Sequence, residues 1–238
     1  MSDFTKGNID EYLKKLAKRF RKLNGTKIPA EIILVGGASV LINYGFRQKS
    51  NDIDAVIQAS SAMKDAINQI RDEEGLPQDW VNSDFVHTSS YSPYLRMYAK
   101  HYRTFSNIVE IRTISGAYLI AMKLMSGRKY KNDLSDVVGI LNEEHKNNND
   151  ITLADIQTAA KNLYGTYGNL PFDSRNFIEK LMEELKDDDE EIYKNLRENE
   201  IVNKQALMDF EEKYPDVLNS DNLDDILSAA KKKLDEIK

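Results

Sequence analysis

The pattern of apolar and polar positions changes along the chain. In the first 115 residues, short apolar runs typical of buried strands alternate with segments in which apolar residues recur every three or four positions, as in amphipathic helices. Strands are predicted at 31–35, 53–58, 92–105 and 107–114. After residue 115 only the helical period is found. Helices are predicted at 9–23, 38–45, 60–75, 117–127, 132–145, 152–163, 173–186, 189–198, 202–213 and 221–236.

A polar segment, KNNND at 146–150, separates the mixed part of the chain from the helical part. We therefore predict an α/β domain over 1–146 and an all-α domain over 147–238. The first 150 residues carry a net charge of +3 and the remainder −9. The acidic part repels nucleic acid at long range, but the basic face of the helix at 9–23 leaves a positive patch on the first part.

Composition excludes several kinds of site. The chain has no cysteine, which rules out disulfides, thiol catalysis and cysteine-ligated zinc, and its three histidines are far apart in sequence. No run of 18 apolar residues predicts a membrane span, and the first residues have no apolar segment typical of a signal peptide. We expect a cytoplasmic protein that does not bind membranes.

The segment from Val35 to Ile57 holds the strongest chemical signal. The apolar run EIILV leads into Gly36 and Gly37, then a short helix, and then Asp52 and Asp54 at the head of the next apolar run. A glycine turn before a helix aims free N–H groups at a ligand and favours phosphate, although it is also a common tight turn. Aspartates two apart on a strand share a face and repel unless a cation lies between them; the alternative is a hydrated strand entrance.

This combination, in LVGGASVLINYGFRQKSNDIDAVI, resembles the nucleotidyltransferase superfamily, including small bacterial members that act as abortive-infection toxins. The resemblance covers about 31–141. It implies an α/β (α+β) mixed sheet with flanking helices and an enzyme that transfers a nucleoside monophosphate from a nucleoside triphosphate to a hydroxyl. It also implies that Gly36 and Gly37 hold the nucleotide's phosphates and that Asp52 and Asp54 bind Mg²⁺ or Mn²⁺ and are catalytic.

The family pattern calls for a third carboxylate on a later strand. Glu110 stands alone between apolar neighbours in NIVEIRTI, where an acid needs a partner. We predict Glu110 as the third metal ligand and catalytic acid. The structural alternative is an exposed edge-strand glutamate paired with Arg112. Asp84 is a weaker candidate for the same role.

Further nucleotide-binding candidates follow from the resemblance. Lys123 lies in a helix that is apolar on nearly every side, so it must reach solvent or meet an anion, and the family implies a phosphate. Basic and hydroxyl residues also recur before the aspartate pair, and a hydroxyl follows the glycine turn. The predicted nucleotide contacts besides Gly36 and Gly37 are Ser39, Arg47, Ser50 and Lys123, with Arg128 as a further candidate.

Asp133 and Asp136 begin the helix predicted at 132–145. The resemblance implies that one of them activates the acceptor hydroxyl. The alternative is structural, because acidic residues in this spacing also cap helix N-termini.

The segment YSPYLRMYAKHYRTF is the candidate surface for binding the acceptor. Read as one strand, a single face of it carries aromatic and basic residues that would suit stacked bases and phosphates. These predicted nucleic-acid contacts are Tyr94, Arg96, Tyr98, Lys100 and Tyr102. An ordinary half-buried strand with a polar outer face explains the same pattern. A protein or a small hydroxylated molecule is an equal alternative to RNA as acceptor, and a toxin would have an antitoxin that one chain does not reveal.

Three functions compete at this point. The first is an active metal-dependent nucleotidyltransferase, and the second is the same fold as a catalytically inactive binding or regulatory module. The third is a helical interaction scaffold in which the glycine and aspartate pattern is coincidental. Magnesium-dependent triphosphate binding separates the third from the others, and turnover separates the first from the second.

Overall fold

The computed structural model describes residues 3–184, 190–219 and 222–235, with side chains up to residue 229. Five strands form one sheet in the order β3-β2-β1-β5-β4. Their bounds are β1 (Ala30–Leu34), β2 (Ile53–Gln58), β3 (Val81–Asn82), β4 (Ala99–Phe105) and β5 (Val109–Ile114). β1 runs antiparallel to β2 and parallel to β5, β2 is parallel to β3, and β4 is antiparallel to β5. The predicted mixed sheet is confirmed.

Ten helices surround and follow this sheet within the described ranges. They are α1 (Ile9–Asn24), α2 (Gly36–Asn43), α3 (Ala62–Glu74), α4 (Leu95–Tyr98), α5 (Gly116–Ser126), α6 (Asp133–Lys146), α7 (Leu153–Tyr164), α8 (Phe172–Glu184), α9 (Glu190–Lys213) and α10 (Leu223–Asp235). Short 3-10 turns lie at Asp84–His87 and Tyr167–Asn169. No helix in the described ranges is long and apolar enough to cross a membrane.

Alternate residues of the strands bury opposite faces of the sheet. In β1, Ile32 and Leu34 pack with α1 and α3, whereas Ile33 packs with α5 and α6. This alternation follows from the two-residue period of a strand, and both faces are covered because β1 is central. The face that carries Ile33 also carries Asp54, since Leu34 pairs with Ala55 and the register places Asp54 beside Val35.

The predicted domain boundary after residue 146 coincides with the turn between α6 and α7. Apolar residues on both sides of this turn nevertheless share one core cluster, in which Ile156 and Leu163 of α7 and Ile178 of α8 pack with side chains of α5 and α6. The helical region therefore continues the core of the mixed part rather than beginning a second core at this turn.

Two predictions about elements are wrong. The strand predicted at 92–105 begins only at Ala99, after α4, because Ser92 and Pro93 begin a helical turn in which the Leu95 N–H donates to the Ser92 carbonyl (3.1 Å). The helices at 189–198 and 202–213 are one helix, α9. The apparent break came from polar residues at positions that face the core, Glu200 and Asn203. Residues 185–189, where the helices predicted at 173–186 and 189–198 meet, lie outside the described residues, as do the first and last residues of the helix predicted at 221–236.

Candidate nucleotide-binding site

The C-terminal end of β1 turns sharply at Gly36. Its φ is +53°, a left-handed value that favours glycine. A methyl group added there would lie 3.0 Å from Asp54 Oδ2, so the absence of a side chain lets the carboxylate approach the turn. β2 begins alongside, since the Val35 N–H donates to the Asp54 carbonyl (2.9 Å). The structure therefore brings the glycine turn and Asp54 together.

Gly37 likewise has no side chain, which lets Arg47 and Ser50, two of the predicted nucleotide contacts, approach the turn. A methyl group on it would lie 2.6 Å from Arg47 Nη2 and 2.8 Å from Ser50 Oγ. Both side chains therefore rest against the first turn of α2. No side chain of the described residues caps this helix N-terminus, so its first N–H groups can bind a ligand. The structure brings Arg47 and Ser50 to the glycine turn.

Asp52 and Asp54 differ from the other acids near the glycine turn in their electrostatic setting. Among the described residues, neither Asp52 nor Asp54 forms a salt bridge. Burial and then the negative charge of Asp52 raise the pKa of Asp54, while Asn82 and the more distant Lys131 and Arg128 oppose the rise. Two carboxylates held close without a counter-ion are a donor set that suits a hard divalent cation.

Beneath the turn lies a buried network of ion pairs between α5, α6 and the loop before β2. Lys123 Nζ lies 2.9 Å from Asp133 Oδ1 and 2.8 Å from Asp136 Oδ2. Asp136 also receives a 2.5 Å hydrogen bond from Arg47 Nη1, and Asp133 a 2.8 Å bond from Arg128 Nε. These side chains are largely buried, and the Asp133 side chain has no exposed surface.

A comparison with known protein families matches residues 11–167 to the family described as "Nucleotidyltransferase of unknown function (DUF6036)". The match spans most of the chain. The protein belongs to this family. No match was found among curated proteins or among solved structures. The predicted superfamily is thereby confirmed, and the match crosses the predicted boundary at residue 146.

Within this nucleotidyltransferase family protein, the buried network gives Lys123, Asp133 and Asp136 structural tasks. Lys123 meets two carboxylates rather than a free phosphate site. Burial alone would raise the pKa of Asp133, but Lys123 and Arg128 outweigh it and hold that pKa well below its usual range, which makes Asp133 a poor proton acceptor. Neither aspartate caps α6, because both carboxylates bind cations.

Ser39 does not lie at the surface of the turn. It is fully buried, and its Oγ accepts a 3.0 Å hydrogen bond from the N–H of Ile114 in β5. The hydroxyl therefore ties α2 to the sheet, and the predicted nucleotide contact is wrong in its geometry.

Glu110 lies at the other end of the sheet. It pairs with Glu31 at the start of β1, whereas Asp54 lies level with Val35. That is four residues along the strand, or about 13 Å at about 3.3 Å per residue. Glu110 Oε1 lies 3.3 Å from His101 Nδ1 and 3.9 Å from Nε of Arg112, a permanent cation. The structure does not place Glu110 with the aspartates, and within the described ranges no group of three candidate ligands that could hold a metal ion occurs.

The weaker candidate, Asp84, lies in the 3-10 turn after β3. Its N–H donates to Asn82 Oδ1 (3.1 Å), and Asn82 in turn pairs with Asp54 across the β2–β3 register. The Asp84 side chain is exposed.

The predicted aromatic and basic face comprised Tyr94, Arg96, Tyr98, Lys100 and Tyr102, and it does not form. Tyr98 stacks on Tyr118 of α5 (4.6 Å between centroids), on one side of the sheet. Tyr102 packs on the other side, where its hydroxyl donates to Asp10 of α1 (3.0 Å). The helical turn α4 destroys the two-residue period on which this prediction rested.

Three residues at the site escaped sequence reasoning. Asn82 and Lys131 act on the pKa of Asp54, and Glu200 binds the first turn of α6. Lys131 had a signal, since it belongs to the basic run RKYK at 128–131, two residues before Asp133. Asn82 and Glu200 had none, because β3 has only two residues and Glu200 reaches the site from a distant helix.

Proposed function

We propose that this protein is a metal-dependent nucleotidyltransferase that transfers a nucleoside monophosphate from a nucleoside triphosphate to a hydroxyl acceptor. The observation that carries the proposal is the approach of Asp54 to Gly36, where a methyl group would lie only 3.0 Å from Oδ2. It sets a carboxylate pair beside an uncapped helix N-terminus, so that divalent metal and phosphate can be bound side by side.

Asp52 and Asp54 would hold Mg²⁺ or Mn²⁺. Magnesium is usually bound through one or two carboxylates together with substrate phosphates and water, so two protein ligands fit. When bound, the ion neutralises charge on the phosphates and the leaving group. The N–H groups of Gly36 and Gly37 would bind phosphate oxygens, and Arg128 and Lys131, both close enough to act on the charge of Asp54, would add positive charge.

In the proposed reaction the acceptor hydroxyl oxygen forms a bond to the α-phosphorus, its proton passes to solvent water, and the bond from the α-phosphorus to the bridging oxygen of the β-phosphate breaks. Pyrophosphate leaves from the end of the site that the α2 N-terminus and the basic residues would stabilise. Positioning and charge neutralisation supply the rate, because no side chain becomes covalently linked to the nucleotide.

A nucleotide-binding module without turnover is the second candidate. It is favoured by one observation: within the described ranges, no third acid joins Asp52 and Asp54 in a metal-binding group. Such a module would bind the metal–triphosphate complex and release it unchanged.

The test is unfolding in urea with Mg²⁺ and each of the four common ribonucleoside triphosphates. Ligand at about 100 times its dissociation constant should add about 2.7 kcal/mol to the free energy of unfolding. We expect this gain for at least one nucleotide, and its loss without metal and in Asp52→Asn/Asp54→Asn. Glu110→Gln is the matched control and should keep the gain. Wild type that gains nothing from any of the four would contradict the proposal. Release of pyrophosphate then separates the enzyme from the module.

A further inference from the structure

Helix α9 lies outside the matched family region and contacts three segments that build the site. Tyr193 packs edge-on against Phe46 (5.8 Å between centroids), the residue before Arg47. Glu200 binds the first turn of α6, and Asn203 Nδ2 donates to the carbonyl of Lys129 (2.6 Å) in the loop between α5 and α6. Residues 193, 200 and 203 are spaced by seven and three, so they lie on one face of the helix.

The contact at Glu200 is a helix cap supplied from another helix. Glu200 Oε1 accepts hydrogen bonds from the N–H groups of Leu134 (2.9 Å) and Ser135 (3.2 Å), and Oε2 lies 2.5 Å from Ser135 Oγ. The local N-cap residue, Asn132, makes no side-chain cap bond. A helix N-terminus needs acceptors for its free N–H groups and favours negative charge, and Glu200 provides both.

Because Glu200 caps α6, the two aspartates at the start of this helix can form ion pairs instead. Asp133 and Asp136, the acids that would otherwise bond to the first N–H groups of α6, hold Lys123, Arg128 and Arg47 instead. Arg47 in turn lies against Gly37. A continuous chain of contacts therefore leads from Glu200, through the first turn of α6, to the glycine turn.

Glu200 is only 4% exposed, a degree of burial that a glutamate reaches when its oxygens are satisfied. Burial raises its pKa to about 7, although the hydrogen bonds from Ser135 and Leu134 favour the charged form. A glutamine can reproduce its contacts, since the amide oxygen accepts from both N–H groups and the amide nitrogen donates to Ser135 Oγ. An alanine can reproduce none of them.

We propose that Glu200 is a positioning residue for the nucleotide site: it fixes the first turn of α6, so that Asp136 holds Arg47 beside the glycine turn and Asp133 holds Arg128, whose charge acts on Asp54. The role in nucleotide binding rests on the proposed function above. The positioning itself is a property of the folded chain and can be measured without a nucleotide.

The experiment compares Glu200→Ala and Glu200→Gln with two controls. Glu198→Ala removes an exposed acid from the same helix. Ile70→Val makes a small cavity in α3, on the other face of the sheet, and reports the effect of lost stability alone. Each variant is measured in urea unfolding, in amide hydrogen exchange, and in calorimetric titration with MgATP, MgGTP, MgCTP and MgUTP under conditions where it is folded.

We expect Glu200→Ala to speed amide exchange at 128–137 and at 45–50. We also expect it to weaken binding of the preferred triphosphate about tenfold or more, which corresponds to about 1.4 kcal/mol. Glu200→Gln should restore both, and neither control should change them. Folded Glu200→Ala with wild-type exchange in both segments would overturn the proposal. If wild type binds a triphosphate, unchanged affinity in Glu200→Ala would also overturn the proposal. Wild type that binds none of the four would overturn the proposed function, and exchange would then decide the positioning role.

Discussion

The two ends of the central sheet carry acids on the same face in opposite electrostatic settings. At the distal end, defined by Glu31, Arg96, His101, Glu110 and Arg112, every acid has a cationic neighbour: Glu31 lies 2.8 Å from Arg96 and 3.3 Å from Arg112, and Glu110 lies 3.9 Å from Arg112. At the site end, defined by Gly36, Gly37, Asp52 and Asp54, the negative charge of Asp52 acts on Asp54, and neither acid forms a salt bridge with any described residue.

This difference separates structural acids from candidate ligands better than the strand pattern does. At the distal end neighbouring strands supply the counter-charges within the fold. At the site end burial, and then repulsion by Asp52, raises the pKa of Asp54, and the glycine turn keeps the space beside it clear of side chains. Unrelieved charge next to a helix N-terminus is what a site for a metal–phosphate complex requires.

The largest contrast concerns the ion pairs themselves. Lys123→Ala should lower the free energy of unfolding by about 3–5 kcal/mol, because it removes the partner of two buried carboxylates. Arg96→Ala at the distal end should cost less than about 1 kcal/mol, since its side chain is 59% exposed. Urea unfolding at pH 7 measures both, and equal losses would remove the distinction between the buried network around Lys123 and the exposed pairs of the distal end.

The glycine turn offers the next test. In Gly37→Ala the new methyl group would displace Arg47 or Ser50, at a cost of about 1–3 kcal/mol for overpacking, and triphosphate binding should weaken with it. Gly7→Ala is the matched control, because its nearest neighbour would be Thr5 Oγ1 at 3.8 Å. Urea unfolding measures the loss of stability, and calorimetric titration measures the loss of triphosphate affinity. Unchanged affinity in a folded Gly37→Ala would show that the turn does not bind phosphate.

Charge repulsion at the site end predicts a variant that gains stability. The raised pKa of Asp54 means that the folded state binds its proton more tightly, so stability is greatest below the ordinary pKa and falls as pH rises above it. Asp54→Asn should therefore be more stable than wild type at pH 7 without metal, by about 0.5–2 kcal/mol as for other relieved charge clashes. The gain should vanish near pH 3. A loss of stability at pH 7 would mean that Asp54 has an unrecognised cationic partner.

The smallest effect is expected at the distal end. Glu110→Gln should change the free energy of unfolding by less than about 0.5 kcal/mol, because the glutamate side chain is 44% exposed and its pairs are at the surface. Metal and triphosphate binding should be unaffected. Loss of metal and triphosphate binding in this variant would indicate that Glu110 is a metal ligand after all.

Local patterns predicted the parts of the fold that local sequence determines. The period of α1, the apolar runs of β1 and β2, and the Gly36-Gly37 turn between them were all readable from neighbouring residues. β3 was not, because two residues carry no period. α9 was divided in two because Glu200 and Asn203 are polar on its buried face, and only the partners on α6 and its preceding loop explain them.

The site shows the same limit. Sequence placed Asp52 and Asp54 beside Gly36 because they are joined by a short helix and loop. It placed Glu110 there wrongly, because an apolar strand pattern gives the face of a residue and not its level along a neighbouring strand. The register Glu31 to Glu110 sets that level, and it depends on where two strands distant in sequence begin to pair.

The central claim is that the site end binds a metal–triphosphate complex through Asp52 and Asp54. Its most direct test is calorimetric titration of wild type, Asp54→Asn and Glu110→Gln with MgATP, MgGTP, MgCTP and MgUTP. The account predicts equal affinity for wild type and Glu110→Gln, and affinity at least about tenfold weaker, or about 1.4 kcal/mol, for Asp54→Asn. Binding that survives in Asp54→Asn, or that is lost only in Glu110→Gln, would contradict it.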